Sequence, residues 1–176
     1  MNKKVFLFGI PILVLAATVF AYIILTTNLN VNIKEGQEFA FWDWSKSPED
    51  WTELPLNTGT PYTLPDRDIN AGDYYDVLYR ATNPNQREIQ YTVTSSSGDP
   101  NVTLSFVCVT SGLEYYVTGE GTTDMTVAVK NPAGATNQFA IRNTVNAGAP
   151  PSTTVTITSD YERMEVDPNI TWNTCP

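Results

Sequence analysis

Val102-Thr103-Leu104-Ser105-Phe106-Val107-Cys108-Val109 alternates between apolar and polar side chains as far as Phe106 and continues in β-branched and apolar residues to Val109. A strand turns successive side chains to opposite faces, so this period of two marks a strand with one face in a core. The same pattern recurs outward in both directions. It runs through Glu88–Thr94, Tyr115–Thr118, Met125–Val129, Gln138–Arg142 and Thr153–Thr158, and Asp73–Thr82 adds a strand rich in Tyr and Val. β-Branched and aromatic residues dominate these runs, as a pleated, half-buried surface favours. Between them lie Asn83-Pro84-Asn85, Ser97-Gly98-Asp99-Pro100, Gly119-Glu120-Gly121, Asn131-Pro132-Ala133-Gly134 and Ala147-Gly148-Ala149-Pro150-Pro151, whose residue types make turns. Short strands at such spacing predict an all-β chain, a single jelly-roll-like β-sandwich. No segment after residue 33 shows an amphipathic helix of three turns; a short helical turn is expected around Ser47–Trp51, where Ser47 caps and Pro48 suits the first turn.

The N-terminus has a different character. Lys3 and Lys4 precede an uncharged stretch from Val5 to Leu25, with Val19-Phe20-Ala21 before a cut after Ala21. That is the pattern of a secretory signal. Roughly 20 apolar residues also span a bilayer, so a retained anchor is the alternative. Either way the rest lies outside the cytoplasm, and the membrane is met only during export or through the anchor. The expected organisation is a signal at 1–21, an N-terminal strand at 22–33 and one sandwich domain at 34–176.

Tyr22–Ile33 continues the apolar segment yet alternates. Ile23, Leu25, Thr27, Leu29, Val31 and Ile33 form one stripe, and Tyr22, Ile24, Thr26, Asn28, Asn30 and Asn32 form the other. Two uses are open for this stripe. It can pair within its own domain, as most N-terminal strands do. It can instead insert into the sheet of the next subunit, as a donor strand.

The chain carries a net charge of −9, and loss of residues 1–21 leaves eight basic against 19 acidic residues, a net −11. Such a surface disfavours nucleic acid and anionic lipid as partners. There is no histidine, so histidine-based triads and histidine metal sites are excluded. No catalytic constellation is recognisable, the chain is not expected to be an enzyme, and no cofactor is called for. Cys108 and Cys175 are the two cysteines, which in an exported chain suggests one disulfide stapling the tail across the sandwich. Asn101-Val102-Thr103 and Asn169-Ile170-Thr171 match the N-glycosylation acceptor pattern. Asp66, Asp68 and Asn70 offer oxygens at calcium-loop spacing, but Gly72 falls one place late and Val77 stands where a bidentate Glu is needed. A solvated turn is the better reading there. Trp42, Trp44 and Trp51 suit core and rim packing, with a sugar platform as the alternative.

Ile69-Asn70-Ala71-Gly72-Asp73 leads into the strand that begins at Tyr74 and closes at Asn83. This resembles the apolar-x-Pro-Gly-Asp turn, strand and Asn of secreted fibre proteins of the TasA and camelysin type, with Ala71 where Pro is usual. Their archaeal relatives that build bundling pili are the most similar in layout. The resemblance runs from Lys3 to about Asp160 and includes the late Thr/Val strand Thr153–Thr158. It implies extracellular filaments of identical subunits, assembled by donor-strand complementation, with a role at the cell surface or in a biofilm matrix. A membrane-anchored or secreted adhesion or carbohydrate-binding sandwich is the competing expectation. A type IV pilin is disfavoured, because Lys3-Lys4-Val5 lacks the small residue such processing prefers.

Overall fold

The computed structural model describes residues 22–31, 38–42, 51–53, 62–63, 67–150 and 153–176, and among them there are only strands and turns. In chain order the strands are β1 Tyr22–Val31, β2 Glu38–Trp42, β3 Trp51–Glu53, β4 Tyr62–Thr63, β5 Arg67–Asn70, β6 Tyr74–Thr82 and β7 Ile89–Ser96. There follow β8 Val102–Cys108, β9 Glu114–Thr118, β10 Asp124–Asn131, β11 Thr136–Val145, β12 Thr153–Met164 and β13 Asn173–Thr174. They form two sheets. The larger has the order β13-β9-β10-β7-β12-β1-β4, with β5 also paired to β1; the smaller has the order β3-β2-β6-β11-β8. The pairing is antiparallel throughout the described strands except between β1 and β12. The all-β, sandwich-like reading is therefore met.

The core lies between the two sheets and follows the alternation read from sequence. Tyr75, Val77, Tyr79 and Ala81 of β6 are buried, while Asp76, Leu78 and Arg80 between them are half-exposed. Val127 and Val129 of β10, Phe139 and Ile141 of β11, and Val155, Ile157 and Tyr161 of β12 repeat the pattern from their own strands. Rings stack within the layer between the sheets: Tyr79 on Phe139 at 5.2 Å, Tyr91 on Tyr161 at 5.5 Å, and Phe106 of β8 on Tyr115 of β9 at 4.4 Å. The Tyr91 hydroxyl also donates to the Thr82 carbonyl at 2.7 Å, so a strand end in the smaller sheet is tied to the larger one.

One corner is held by asparagine amides rather than apolar packing. Asn83 is fully buried, and its Nδ2 donates to the carbonyls of Arg87, Asn131 and Pro132 at 2.9–3.0 Å. Its Oδ1 accepts from Asn85 N and Nδ2, both at 3.0 Å. Asn131, also buried, donates to the Ala81 carbonyl and accepts from Asn137. Two turns meet at this point, and a carbonyl buried there without a donor would cost about 1–3 kcal/mol. At Gly119, φ is +73° and an added Cβ would overlap the Asp124 carbonyl, so only glycine fits.

Four short strands have no counterpart in the sequence reading: β3, β4, β5 and β13. β12 also runs on through Ser159–Met164, beyond the expected end at Thr158. Trp51 opens strand β3 rather than closing a helical turn; the remainder of that expected turn, 47–50, lies outside the described residues.

Candidate functional site

β1 lies inside a sheet, not at its rim. On one side it runs parallel to β12 through nine consecutive pairs, from Ile23 with Thr153 to Val31 with Tyr161. On the other it pairs antiparallel with β5, at Tyr22–Leu25, and with β4, at Asn28 and Leu29. Neighbours in register share a face. Leu25, Thr27, Leu29 and Val31 stand beside Val155, Ile157, Ser159 and Tyr161, which are all buried. Ile23 stands beside buried Ile69. The stripe read from the sequence thus occupies the core-facing register positions of β1. Asn28 and Asn30 occupy the opposite set, beside exposed Thr158 and Asp160. Ile33, the last member of the stripe, lies outside the described residues, as does the segment 1–21 with its export pattern.

Beside the Leu29 position the core turns polar. Ser159 Oγ and Ser95 Oγ are 2.7 Å apart, both buried, and the Tyr79 hydroxyl from the opposite sheet donates to Ser159 at 3.4 Å. These hydroxyls satisfy one another, which buried polar groups require. Burial pushes the Tyr79 phenol up to about 12 against the partial opposition of those hydrogen bonds, so it stays neutral. The sequence reading missed this group. The signal was present: Ser95 and Ser159 fall on the inward phase of their strands, where apolar residues are the rule.

β4 and β5 pair only with β1 among the described residues, so the slot has two walls: β12 on one side and these short strands on the other. The other sheet margins are closed differently. β13 lies at the far end of the larger sheet, against β9. It is fixed by the Cys108–Cys175 disulfide, with a Cα–Cα distance of 5.6 Å, and by backbone bonds from Gly112 N to the Cys175 carbonyl and from Cys175 N to the Leu113 carbonyl. The expected disulfide is therefore present, joining β8 of the smaller sheet to the tail that edges the larger. The outer edge of β8 is occupied as well: Leu104 exchanges backbone bonds with Thr122 and Gly121, and Phe106 N donates to Glu120 Oε1. A carboxylate in the place of a strand carbonyl blunts an edge that would otherwise invite pairing.

The remaining candidate residues do not converge on one place. Asp68 and Asn70 are exposed, Asn70 Nδ2 donates to Asp73 Oδ2 at 3.1 Å, and Asp66 lies outside the described residues. Asp73 N donates to the Asn70 carbonyl, closing a turn through Gly72 at φ +90°. Among the described residues no group of three acidic, cysteine or histidine side chains could hold a metal ion. Trp42 and Trp51 are register partners, and the row continues through Leu78 and Ala140 to Val107, on the face of the smaller sheet away from the core; Trp44 lies outside the described residues. Phe39 and Phe41 stand beside buried Ala81 and Tyr79 instead. Asn101 is half-buried in the turn before β8, and Asn169 is exposed in the irregular stretch before β13.

No protein-family model, curated protein or solved structure matches this chain. A functional reading therefore stands on the geometry above and on the motifs in the sequence.

Proposed function

We propose that this protein is the subunit of an extracellular filament, in which β1 of one subunit fills the slot between β12 and β4/β5 of the next. The observation that carries this is the placement of β1. It is an N-terminal strand, paired along both sides, and joined to the rest of its sheet system through residues 32–37 alone. The backbone groups of β12 and β5 that accept it within one chain would accept the same strand from a second copy. Exchange of an identical element is a low-cost route to assembly, and a head-to-tail contact that does not close gives a filament. Four apolar stripe residues within β1, at about 1.5–3 kcal/mol each, supply roughly 6–12 kcal/mol gross before ordering costs. Six tether residues extend to about 20 Å, enough to bridge sheets about 10 Å apart or to lead away to a neighbour.

Other features support the same reading. The stripe begins where the export pattern ends, so a cut after Ala21 frees the strand. The Asn70–Asp73 turn feeds β6, and the strand closes at the buried hub Asn83, which fits the resemblance to the TasA and camelysin type and to archaeal bundling pili. In this reading the domain is a jelly-roll-like sandwich, its partners are identical subunits, and its role is structural, at the surface or in a biofilm matrix. Electron microscopy of the purified mature protein, beside a Leu29→Asp variant, tests it. Filaments from the parent and none from a folded variant support the proposal; filaments from both refute it.

A second reading rests on the outward row Trp51–Trp42–Leu78–Ala140–Val107, which crosses all five strands of the smaller sheet in register. Two tryptophans in register at the start of that row suit an adhesion or carbohydrate-binding module. Loss of glycan retention on replacing Trp42, with filaments unchanged, would favour it.

A further inference from the structure

Asp99-Pro100-Asn101-Val102-Thr103 and Asp167-Pro168-Asn169-Ile170-Thr171 are two versions of one pentapeptide. They make the same local turn. Asp99 Oδ1 accepts from Asn101 N and Nδ2, both at 2.8 Å, and Asp167 Oδ1 accepts from Asn169 N and Nδ2, both at 2.9 Å. Each carries the Asn-x-Thr acceptor pattern, so the two form a matched pair that differs only in surroundings.

The surroundings differ sharply. After Asn101 the chain enters β8 at once. Val102 is fully buried and its N–H is bound to the Asp99 carbonyl, while Thr103 sits in the ladder opposite Thr144. The Asn101 carbonyl accepts from Asn146 N at 2.8 Å, and Asn146 Nδ2 donates to the Pro100 carbonyl at 2.7 Å. Presenting this tripeptide to an enzyme would require β8 to leave its sheet. After Asn169 the chain stays out of any strand until Asn173. Asn169 and Thr171 are both exposed, and the one backbone bond of the turn is Ile170 N to the Asp167 carbonyl at 3.3 Å.

We propose that Asn169 is the acceptor of an N-linked glycan in the folded protein and that Asn101 is not. The donor class is a lipid-linked sugar phosphate. Asn169 Nδ2 bonds to C1 of the sugar, the C1–O bond to phosphate breaks, the amide loses one proton, and the lipid phosphate leaves. Asn169 lies four residues before Asn173 of β13, the outermost strand of the larger sheet. A glycan there hydrates and screens that margin, leaving the β1 slot as the route for strand pairing. The inference rests on the export reading, since the transfer takes place outside the cytoplasm.

Reduction and alkylation followed by glutamyl-specific digestion of the native protein, isolated from its own source, separate the two sites, because reduction frees Cys175 from Cys108 and cleavage after Glu165 releases residues 166–176. Mass spectrometry of that peptide should show a hexose-containing increment on Asn169, lost in Asn169→Gln and Thr171→Ala and kept in Thr171→Ser. The peptide bearing Asn101 should be unmodified. N-terminal sequencing of the same sample reads the export step separately. An unmodified Asn169 in chains that begin near Tyr22 overturns this inference and leaves the export reading standing. Chains that retain residues 1–21 with Asn169 unmodified overturn this inference and the cut after Ala21, since an anchored chain is also exported. A glycan on Asn101 overturns the role assigned to β8.

Discussion

β1 and β13 both belong to the larger sheet, yet the two are held there by different means. β13 is two residues long and pairs with β9 at only two positions, Asn173 with Tyr115 and Thr174 with Glu114. Its security comes from the Cys108–Cys175 bond, which closes a separation of 67 residues in sequence. β1 is ten residues long, pairs on both sides, and among the described residues has no covalent clamp of its own. A covalent link fixes a segment to its own chain whatever the concentration. A link made of hydrogen bonds and burial can be made equally well with another copy. The end that must stay is locked, and the end proposed to exchange is held by contacts a neighbour can reproduce.

Placing a charge on the core-facing register of β1 should break this contrast most completely. Leu29→Asp or Val31→Asp buries a carboxylate beside Ser159 or Tyr161, and filaments should be absent by electron microscopy while circular dichroism still shows β-structure. Asn30→Asp, on the outward set, should polymerise normally. At the other end, Cys175→Ser should lower stability by about 4 kcal/mol in the chain-entropy model, read by urea denaturation, and filaments should still form below the new midpoint. Loss of polymerisation in that variant under folding conditions would mean that the locked end takes part in exchange after all.

The asparagine corner sharpens the comparison from inside one subunit. Asn83→Ala removes the side-chain donor to the Arg87, Asn131 and Pro132 carbonyls, of which Pro132 keeps the Ala135 amide, and the acceptor for Asn85 N, and should cost about 3 kcal/mol without altering how filaments are joined. Tyr79 sits nearer the slot. Its phenol is raised to about 12 by burial, whereas an unfolded tyrosine titrates near 10. The stability this provides is complete below about pH 10 and is lost as pH rises from there to about 12, amounting to about 2–3 kcal/mol. Tyr161, likewise raised by burial, adds to the same alkaline loss. Tyr79→Phe should therefore flatten, without abolishing, the fall in melting temperature above pH 10. The smallest effect concerns the Asp68–Asp73 turn. Since the Asn70 amide already serves the Asp73 carboxylate, calcium should leave the melting temperature unchanged in a titration followed by thermal melts.

The long strands were legible because their alternation is physical: β6, β10 and β11 each bury every second residue over most of their length, and the sequence shows it. β12 was read only to Thr158 because Ser159, Asp160, Glu162 and Arg163 look like a turn, although Ser159 is buried against Ser95. β4, β5 and β13 were invisible, being two to four residues long and defined by the strand beside them rather than by any pattern of their own. The stripe of β1 was legible, and so was the pairing of two lone cysteines. The hydroxyl group at Tyr79, the asparagine hub and the shared Asp-Pro-Asn turn needed coordinates, because each joins side chains remote in sequence or compares surroundings that no short motif records.

The exchange of β1 can be read directly from a cross-link. Asn28 and Thr158 are register partners on the outward face of β1 and β12, and Thr158 is exposed. In filaments of an Asn28→Cys/Thr158→Cys variant, mild oxidation followed by a non-reducing gel should give a ladder of covalent oligomers. Monomer alone, with the new disulfide formed, would show that β1 belongs to its own sheet and would contradict strand exchange.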